Sequence, residues 1–523
     1  MKSLNAQQLA TLDWVDNDSG NLNVEARAGT GKTTLLIAIV EHIVRSGKGM
    51  VFLGAYNKAI AGEIKARLEA FGVDWKDAEA GTLHAMGFRL CRAAWSKVTL
   101  DEKKVQRIID NFGNQAGGFF ARNCSTIRAG VSLAKQVGIG VVKHDDQGTW
   151  LEMFEHYGVN DLVADDTPYG LVAACQQVLE HSNMQLPRSV DFDDMVYGPL
   201  VSGLKVRYPY DWVLLDECQD VNATRRELAL RLLAPNGRFI AVGDSYQSIY
   251  GFTGADSNAM ELLRSRLNSA VLPLTVTYRC PKAVVKEAQQ FVPDIVAHES
   301  APEGAVQGLR LVLRDRKPEE VKAEDEFDCI EFQPTDAILC RNTAPLVSLA
   351  YVLIRRRITC RVEGRDIGIS LRKLTERWKV TGLVQLEERL SGYLERERNK
   401  FMAKDEPMRA QQVEDKVMTL RTLIELCARE DKHSVSDLFA LIDSMFSDSV
   451  PGSASARPML TLSTVHKSKG REWDRVFILN RERYMPSKHA RKDWELQQER
   501  NLCYVAVTRA KQTLVYLTVA KGE

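Results

Sequence analysis

The stretch EARAGTGKTT, Glu25–Thr34, decides how the rest of the chain reads. It is small and glycine-bearing, it ends in a lysine and two threonines, and apolar segments flank it. From Ala26 to Thr33 it fits the phosphate-loop pattern G-x-x-x-x-G-K-[ST], with Ala26 in place of the first glycine. Gly29 and Gly31 let the backbone bend so that N–H groups point at phosphate oxygens. Lys32 then reaches the β- and γ-phosphates, and the Thr33 hydroxyl ligates Mg²⁺. A helix opening at Lys32 adds its positive dipole end. The candidate triphosphate contacts are Ala28, Gly29, Thr30, Gly31, Lys32, Thr33 and Thr34.

Outward from the loop, NLNVEA reads as a strand and KTTLLIAIVEHIV as a helix; GMVFLGAY and NKAIAGEIKARLEAF repeat that alternation. Strands alternating with amphipathic helices imply a parallel α/β sheet. From about Phe88 to Leu186 helical patterns dominate, and the α/β character returns at DWVLLDECQD and GRFIAVGDSYQSIYGF. A second α/β unit begins near VLPLTVTYRCP, includes DAILCRN (336–342) and resumes at MLTLSTVHKSKGREWDRVFIL. Between its halves lies a charge-dense helical stretch, roughly 364–455, whose mixed charges read as solvated faces over a small core of its own. SDSVPGSASARP is turn-rich and reads as the link back into the second sheet.

WVLLDECQD carries the second chemical signal. Trp212 to Leu215 form a buried strand, and Asp216 and Glu217 follow at its C-terminal end, where ligands sit in open α/β sheets. Asp216 suits Mg²⁺ through water, and Glu217 suits the base that orients an attacking water. Hydrolysis also needs cations on the transferring phosphoryl group.

The composition sets limits. With 523 residues the chain is long enough for three or four domains, or two with large insertions. Lys+Arg total 70 and Asp+Glu total 69, so a nucleic-acid site has to be a local basic groove. The ten cysteines form no C-x-x-C pair, which argues against a zinc ribbon or iron–sulfur cluster. Free thiols, an N-terminus without an apolar signal region and the lack of an apolar run of about 18 residues set the expectation of a cytoplasmic protein with no membrane span.

Taken together the segments resemble superfamily 1A helicases of the UvrD/Rep/PcrA kind. LNAQQ is similar to the Q motif, AGTGKTT to motif I, YNKAIAGEIKARL to Ia, GTLHAMGF to Ib and LLDECQD to II. VGDSYQSIYGFTGAD resembles motif III, TYRCP motif IV, LSTVHKSKGREWDRVFI motif V and QERNLCYVAVTRAK motif VI. The motifs keep the family's order over residues 4 to 511, and the YNKAIA form resembles phage-encoded and F-box-type members.

The resemblance implies two RecA-like domains with ATP in the cleft between them and a helical insertion in each. The expected boundaries are 1–87 plus 187–272 for the first, with insertion 88–186, and 273–363 plus 456–523 for the second, with a reduced insertion 364–455. It further implies Gln8 as adenine reader, Gln247 as γ-phosphate sensor, Tyr278 stacked on the adenine, Arg279 and Arg509 as arginine fingers, and Gly470 and Glu472 near the nucleotide. Its DNA track would use Tyr56, His84, Tyr250, Phe252 and His466 for stacking, with Thr82 and Thr464 on phosphates; core packing is the competing reading for each aromatic. SKHARK (487–492) reads either as part of that track or as a solvated loop.

The implied activity is ATP- and Mg²⁺-dependent 3′→5′ translocation on single-stranded DNA with duplex unwinding. The expected partners are single strands, single-strand/duplex junctions, and replication or recombination proteins, and the expected state is a monomer or weak dimer. Two alternatives stay open: a translocase that displaces bound proteins with little unwinding, and an ATP-gated loading or scaffold protein. The chain departs from the family pattern at Phe252-Thr253, where a tryptophan-arginine pair is usual, and at Cys218, where alanine is common. Little follows Arg509, so no appended nuclease is expected.

Overall fold

The structure is a computed structural model that describes residues 4–74, 76–113, 118–159, 162, 166–251, 258–313, 330–355, 358, 360–403, 407–446 and 459–521. Phe252 and the turn-rich segment 447–458 lie outside the described residues. The chain divides into two units, Met1–Thr275 and Val276–Glu523.

The first unit is built on a six-stranded sheet in the order Ala78–Gly81, Val51–Gly54, Tyr210–Leu215, Leu233–Gly243, Leu22–Ala26, Ala270–Leu274. All of its pairings are parallel. Side chains of a strand alternate between its two faces, and both faces are covered here. Val51, Leu53, Trp212, Leu214, Ile240 and Val242 pack with Leu36 and Ile39 of helix Lys32–Arg45. The residues between them, Phe52, Val213, Leu215, Phe239 and Ala241, pack on the other face with Leu83, Met86 and Val196. Burial on both faces explains why these strands read as continuous apolar runs.

Ala270–Leu274 pairs with Leu22–Ala26, so the opening of VLPLTVTYRCP belongs to the first unit. That moves the expected boundary, 272/273, to the position after Thr275. Within the same unit, helices Lys104–Gly113, Cys124–Val137, Gln147–Tyr157 and Pro168–Met184 surround a separate core that includes Ile109, Ile127, Val131, Trp150 and Val178.

The second unit also has a six-stranded sheet with parallel pairings, in the order Ala305–Leu313, Ala510–Lys521, Trp473–Leu479, Ala337–Cys340, Leu460–Thr464, Cys360–Val362. Each sheet is doubly covered α/β architecture of the RecA-like kind. The charge-dense helices do not keep a core to themselves. Leu386 and Leu390 of helix Leu383–Ala403 and Val417, Leu420 and Leu423 of helix Pro407–Arg429 join one cluster with Ile338, Leu462, Phe477 and Val515 of the sheet. A polar contact adds to that packing: Asp415 accepts hydrogen bonds from the Thr343 and Ala344 N–H groups at 3.0 and 3.3 Å, capping helix Thr343–Arg355. No helix among the described residues is long and apolar enough to cross a membrane.

Candidate nucleotide and nucleic-acid sites

Three neighbouring strands of the first sheet end beside one another, and each delivers a group to the same place. Leu22–Ala26 runs into the loop that carries Lys32, Leu233–Gly243 into Asp244, and Tyr210–Leu215 into Asp216 and Glu217. Gly29 and Gly31 have φ of 74° and 81°, the left-handed conformation that the loop pattern requires. Gly31 is also closely approached: an added Cβ would lie 3.1 Å from the Gln8 Nε2. Gln8 is itself fixed, accepting from the Asn5 N–H at 3.0 Å and donating to the Thr30 carbonyl at 3.3 Å.

Lys32 Nζ lies 3.0 and 3.1 Å from the two Glu217 carboxylate oxygens. Glu217 reaches it from a left-handed turn, φ 50°, a conformation uncommon outside glycine and a recognised mark of functional sites. Gln219 donates to the same Glu217 carboxylate while its Oε1 accepts from the Asp244 N–H at 3.0 Å. The Gln247 amide donates to Asp244 at 2.7 Å. One hydrogen-bonded chain therefore links Lys32, Glu217, Gln219, Asp244 and Gln247.

The electrostatics are those of a buried cation among acids. Burial disfavours the Lys32 ammonium, but Glu217, Asp244 and Asp216 outweigh it and hold the group above its usual value. Burial first, then the neighbouring Glu217, pushes the Asp216 carboxyl up to about 7. Asp244 is raised as well, chiefly by burial.

For a divalent cation the first unit offers the half-buried Thr33 hydroxyl and Asp216. Among the described residues no group of three or more His, Cys, Asp or Glu side chains forms a metal cage. Mg²⁺ keeps several waters and takes one or two carboxylates plus substrate phosphates. The donor set thus fits Mg²⁺ arriving with a triphosphate.

A second cluster in the first unit is aromatic. The His84 ring stacks on Phe192, centroids 4.3 Å apart and planes 27° apart. Burial, then the Arg225 charge, lowers His84 to about 4, so the ring is neutral at pH 7. Arg225 also acts electrostatically on Tyr56, and Tyr56 on Tyr250, which places these groups near one another. Tyr56 is 42% and Phe192 57% exposed, too open for core packing. Thr82 caps helix Leu83–Ala94, accepting from the Ala85 N–H at 3.2 Å; its hydroxyl hydrogen can still donate.

In the second unit, Arg279 donates to Glu472 and, at 3.4 Å, to the Thr508 carbonyl. Arg509 is 1% exposed. Its guanidinium donates to the carbonyls of Val505 at 2.9 Å and Arg471 at 3.1 Å, and to Thr508 Oγ1 at 3.1 Å. Burial, then the charge of Arg279, lowers it to about 9. The expected second finger is thus held inside the unit by backbone carbonyls. Tyr278, 46% exposed, rests on the His298 ring at 4.6 Å. Gly470 has φ 83° and open space where a Cβ would stand. Thr464 caps Val465–Ser468, accepting from the Lys467 N–H at 3.4 Å. His466 is pushed down to about 3 by burial and then by Arg341.

Four residues of these clusters are not among the sequence candidates: Gln219, Asp244, Phe192 and His298. Asp244 and Gln219 lie inside the quoted motifs, and a buried acid after an apolar strand was the available signal. Phe192, an aromatic set among aspartates in VDFDDM, offered a weaker one.

Comparison with known proteins finds one helicase family in both halves of the chain. The profile of the UvrD/REP helicase N-terminal domain matches residues 4–268, and that of the UvrD-like helicase C-terminal domain matches residues 371–521. The ATP-dependent DNA helicase UvrD2 of Mycobacterium tuberculosis is 24% identical over 94% of this chain and 75% of its own length. The F-box DNA helicase protein 1 of Schizosaccharomyces pombe is 23% identical over 98% of this chain and 57% of its own. DNA helicase IV of Escherichia coli is 23% identical over 53% and 46%. With its two parallel sheets, its phosphate loop facing two strand-end acids and profile matches to both halves, the chain belongs to the UvrD/REP helicase family.

Proposed function

We propose that this protein is an ATP-dependent DNA helicase that moves 3′→5′ along single-stranded DNA and unwinds duplex. The observation that carries the reading is the Lys32–Glu217 pair, with Asp216 and Asp244 beside it, on the same unit as an exposed aromatic cluster. The direction of travel comes from the family resemblance.

In this reading the loop from Ala28 to Thr34 cradles the triphosphate, and Lys32 neutralises its terminal phosphates. Glu217 orients the attacking water and takes its proton. Gln247 responds to the γ-phosphate and, through Asp244 and Gln219, passes that response to Glu217. Thr33 and Asp216 hold Mg²⁺, which supplies charge neutralisation on the phosphates. Gln8 reads the adenine, Tyr278 stacks on it, and Gly470 and Glu472 lie near the nucleotide. Arg279 and Arg509 are the cations for the transferring phosphoryl group. Arg509 has to exchange its carbonyl partners for phosphate oxygens to act. DNA bases stack on Tyr56, His84, Phe192, Tyr250, Phe252 and His466, while Thr82 and Thr464 donate to phosphates. Stacking is indifferent to base identity, which suits movement along any sequence.

The test is steady-state ATPase activity with and without single-stranded DNA, on the wild type and on Glu217→Gln. Strong stimulation by DNA, with turnover in Glu217→Gln down by about 10²–10⁴-fold at retained ATP binding, is the expected result. Turnover indifferent to DNA would overturn the motor reading. Duplexes with a 3′ or a 5′ tail then read polarity and unwinding.

A further inference from the structure

The turn Asp191–Asp194 holds three aspartates and one phenylalanine, and all three aspartates are anchored. Asp191 and Asp194 close the turn reciprocally: the Asp191 N–H donates to Asp194 Oδ2 at 3.0 Å, and the Asp194 N–H to Asp191 Oδ1 at 2.8 Å. Two lysines of the helical region lie beneath, their side chains with no exposed surface. Lys104 Nζ is 2.7 Å from Asp194 Oδ2. Lys135 Nζ is 2.6 Å from Asp191 Oδ2 and 2.7 Å from Asp194 Oδ1. Asp193 accepts from the Ser132 hydroxyl and, at 3.2 Å, from the Gln136 amide. The fourth residue, Phe192, projects from this pedestal onto the His84 ring.

A cluster of this kind is a poor stabiliser. Desolvation costs several kcal/mol for each ion, and well-packed apolar residues commonly do as well or better. Ion pairs do impose one geometry, because any other leaves a buried charge unmatched. Asp194 remains ionised: burial pushes its carboxyl up, but the two ammoniums hold it below its usual range. A second constraint lies one turn away on both partners. A Cβ on Gly87, three residues after His84, would stand 2.0 Å from the carbonyl oxygen of Met195, three residues after Phe192. The two backbones that carry the stacked rings therefore run in direct contact.

We propose that Lys104 and Lys135 are positioning residues for DNA binding: they lock the Asp191–Asp194 turn so that Phe192 stands in stacking register with His84. Through them the helical region from Lys104 to Val137 is tied mechanically to the surface on which bases stack. The inference rests on the proposed role of Phe192 and His84 as a base platform.

A double-mutant cycle on the full chain tests it, with Lys135→Met, Phe192→Ala and the combination. The probe is a single-stranded oligonucleotide carrying 2-aminopurine, whose fluorescence reports stacking. DNA affinity, the KM for DNA and kcat at saturating DNA are read alongside. Phe192→Ala weakens DNA binding about tenfold. Lys135→Met weakens it three- to tenfold and reduces 2-aminopurine quenching, with the change in KM for DNA and not in kcat. The double variant binds no more weakly than Phe192→Ala alone, and Lys135→Arg restores part of the affinity. If Phe192→Ala binds normally, the platform reading fails. If Phe192→Ala is weak but Lys135→Met is normal, or the two effects add, the positioning role fails. Should Lys135→Met not fold, Lys104→Met, which leaves Asp194 paired with Lys135, takes its place in the cycle with the same criteria.

Discussion

Replacing Asp216 by asparagine removes an acid that the proposed chemistry needs and the fold resists. Asp216 is 3% exposed, and burial with Glu217 beside it lifts its carboxyl from 3.8 to about 7. A carboxyl raised on folding takes up a proton as the chain folds. Its contribution to stability is therefore full below about pH 4 and is lost as pH rises toward 7. At about 1.4 kcal/mol per pKa unit, that span is worth about 4 kcal/mol. Asparagine is nearly isosteric and can still accept the Glu217 N–H that Asp216 now accepts at 2.9 Å. The expected effect at pH 8 is stabilisation by up to about 4 kcal/mol, or up to about 8–16 °C in the melting of a unit this size. At pH 4.5 the difference shrinks to about 1 kcal/mol, and ATPase activity is lost at every pH. Thermal melts of wild type and Asp216→Asn in EDTA, at pH 4.5, 6 and 8, measure this. A variant less stable than wild type at pH 8, or shifted equally at all three pH values, would refute the electrostatic reasoning.

Three further outcomes are expected. Gly87→Ala drives a methyl group to 2.0 Å from the Met195 carbonyl and destabilises the first unit by about 1–3 kcal/mol or more; Gly62→Ala, on the open face of helix Lys58–Ala70, is neutral or stabilising in the same melts. His466 is lowered to about 3 in the fold, so its contribution to stability is full above about pH 6.5 and is lost as pH falls from there toward 3; His466→Gln flattens that acid limb in urea titrations. Tyr278→Ala removes an exposed ring and raises the KM for ATP about tenfold at little change in kcat; a change in kcat alone would contradict a stacking role.

Much of the sheet architecture could be read directly. Val51–Leu53, Trp212–Leu215 and Phe239–Val242 are apolar at every position because both faces of a parallel sheet are covered, and that pattern is local. The phosphate loop and the Asp216-Glu217 pair were legible for a similar reason: a left-handed glycine, or an acid after an apolar strand, is set by near neighbours in sequence. The strand Ala270–Leu274 was misassigned because its own residues do not say which sheet edge it joins. The helices Leu383–Ala403 and Pro407–Arg429 read differently because their charges describe the wet side, while the stripe Val417, Leu420, Leu423 finds its partners in strands distant in the sequence.

Sequence alone determined the family, the cradle for a triphosphate and the residue types that attend it, since those depend on motifs a few residues long. Tertiary structure decided which groups lie together. It placed Asp244 and Gln219 between Lys32, Glu217 and Gln247, withdrew Arg509 onto backbone carbonyls, and set Phe192 against His84 above two buried lysines. These contacts join residues up to about 185 positions apart, and their energies come from burial and distance, which exist only once the chain has folded.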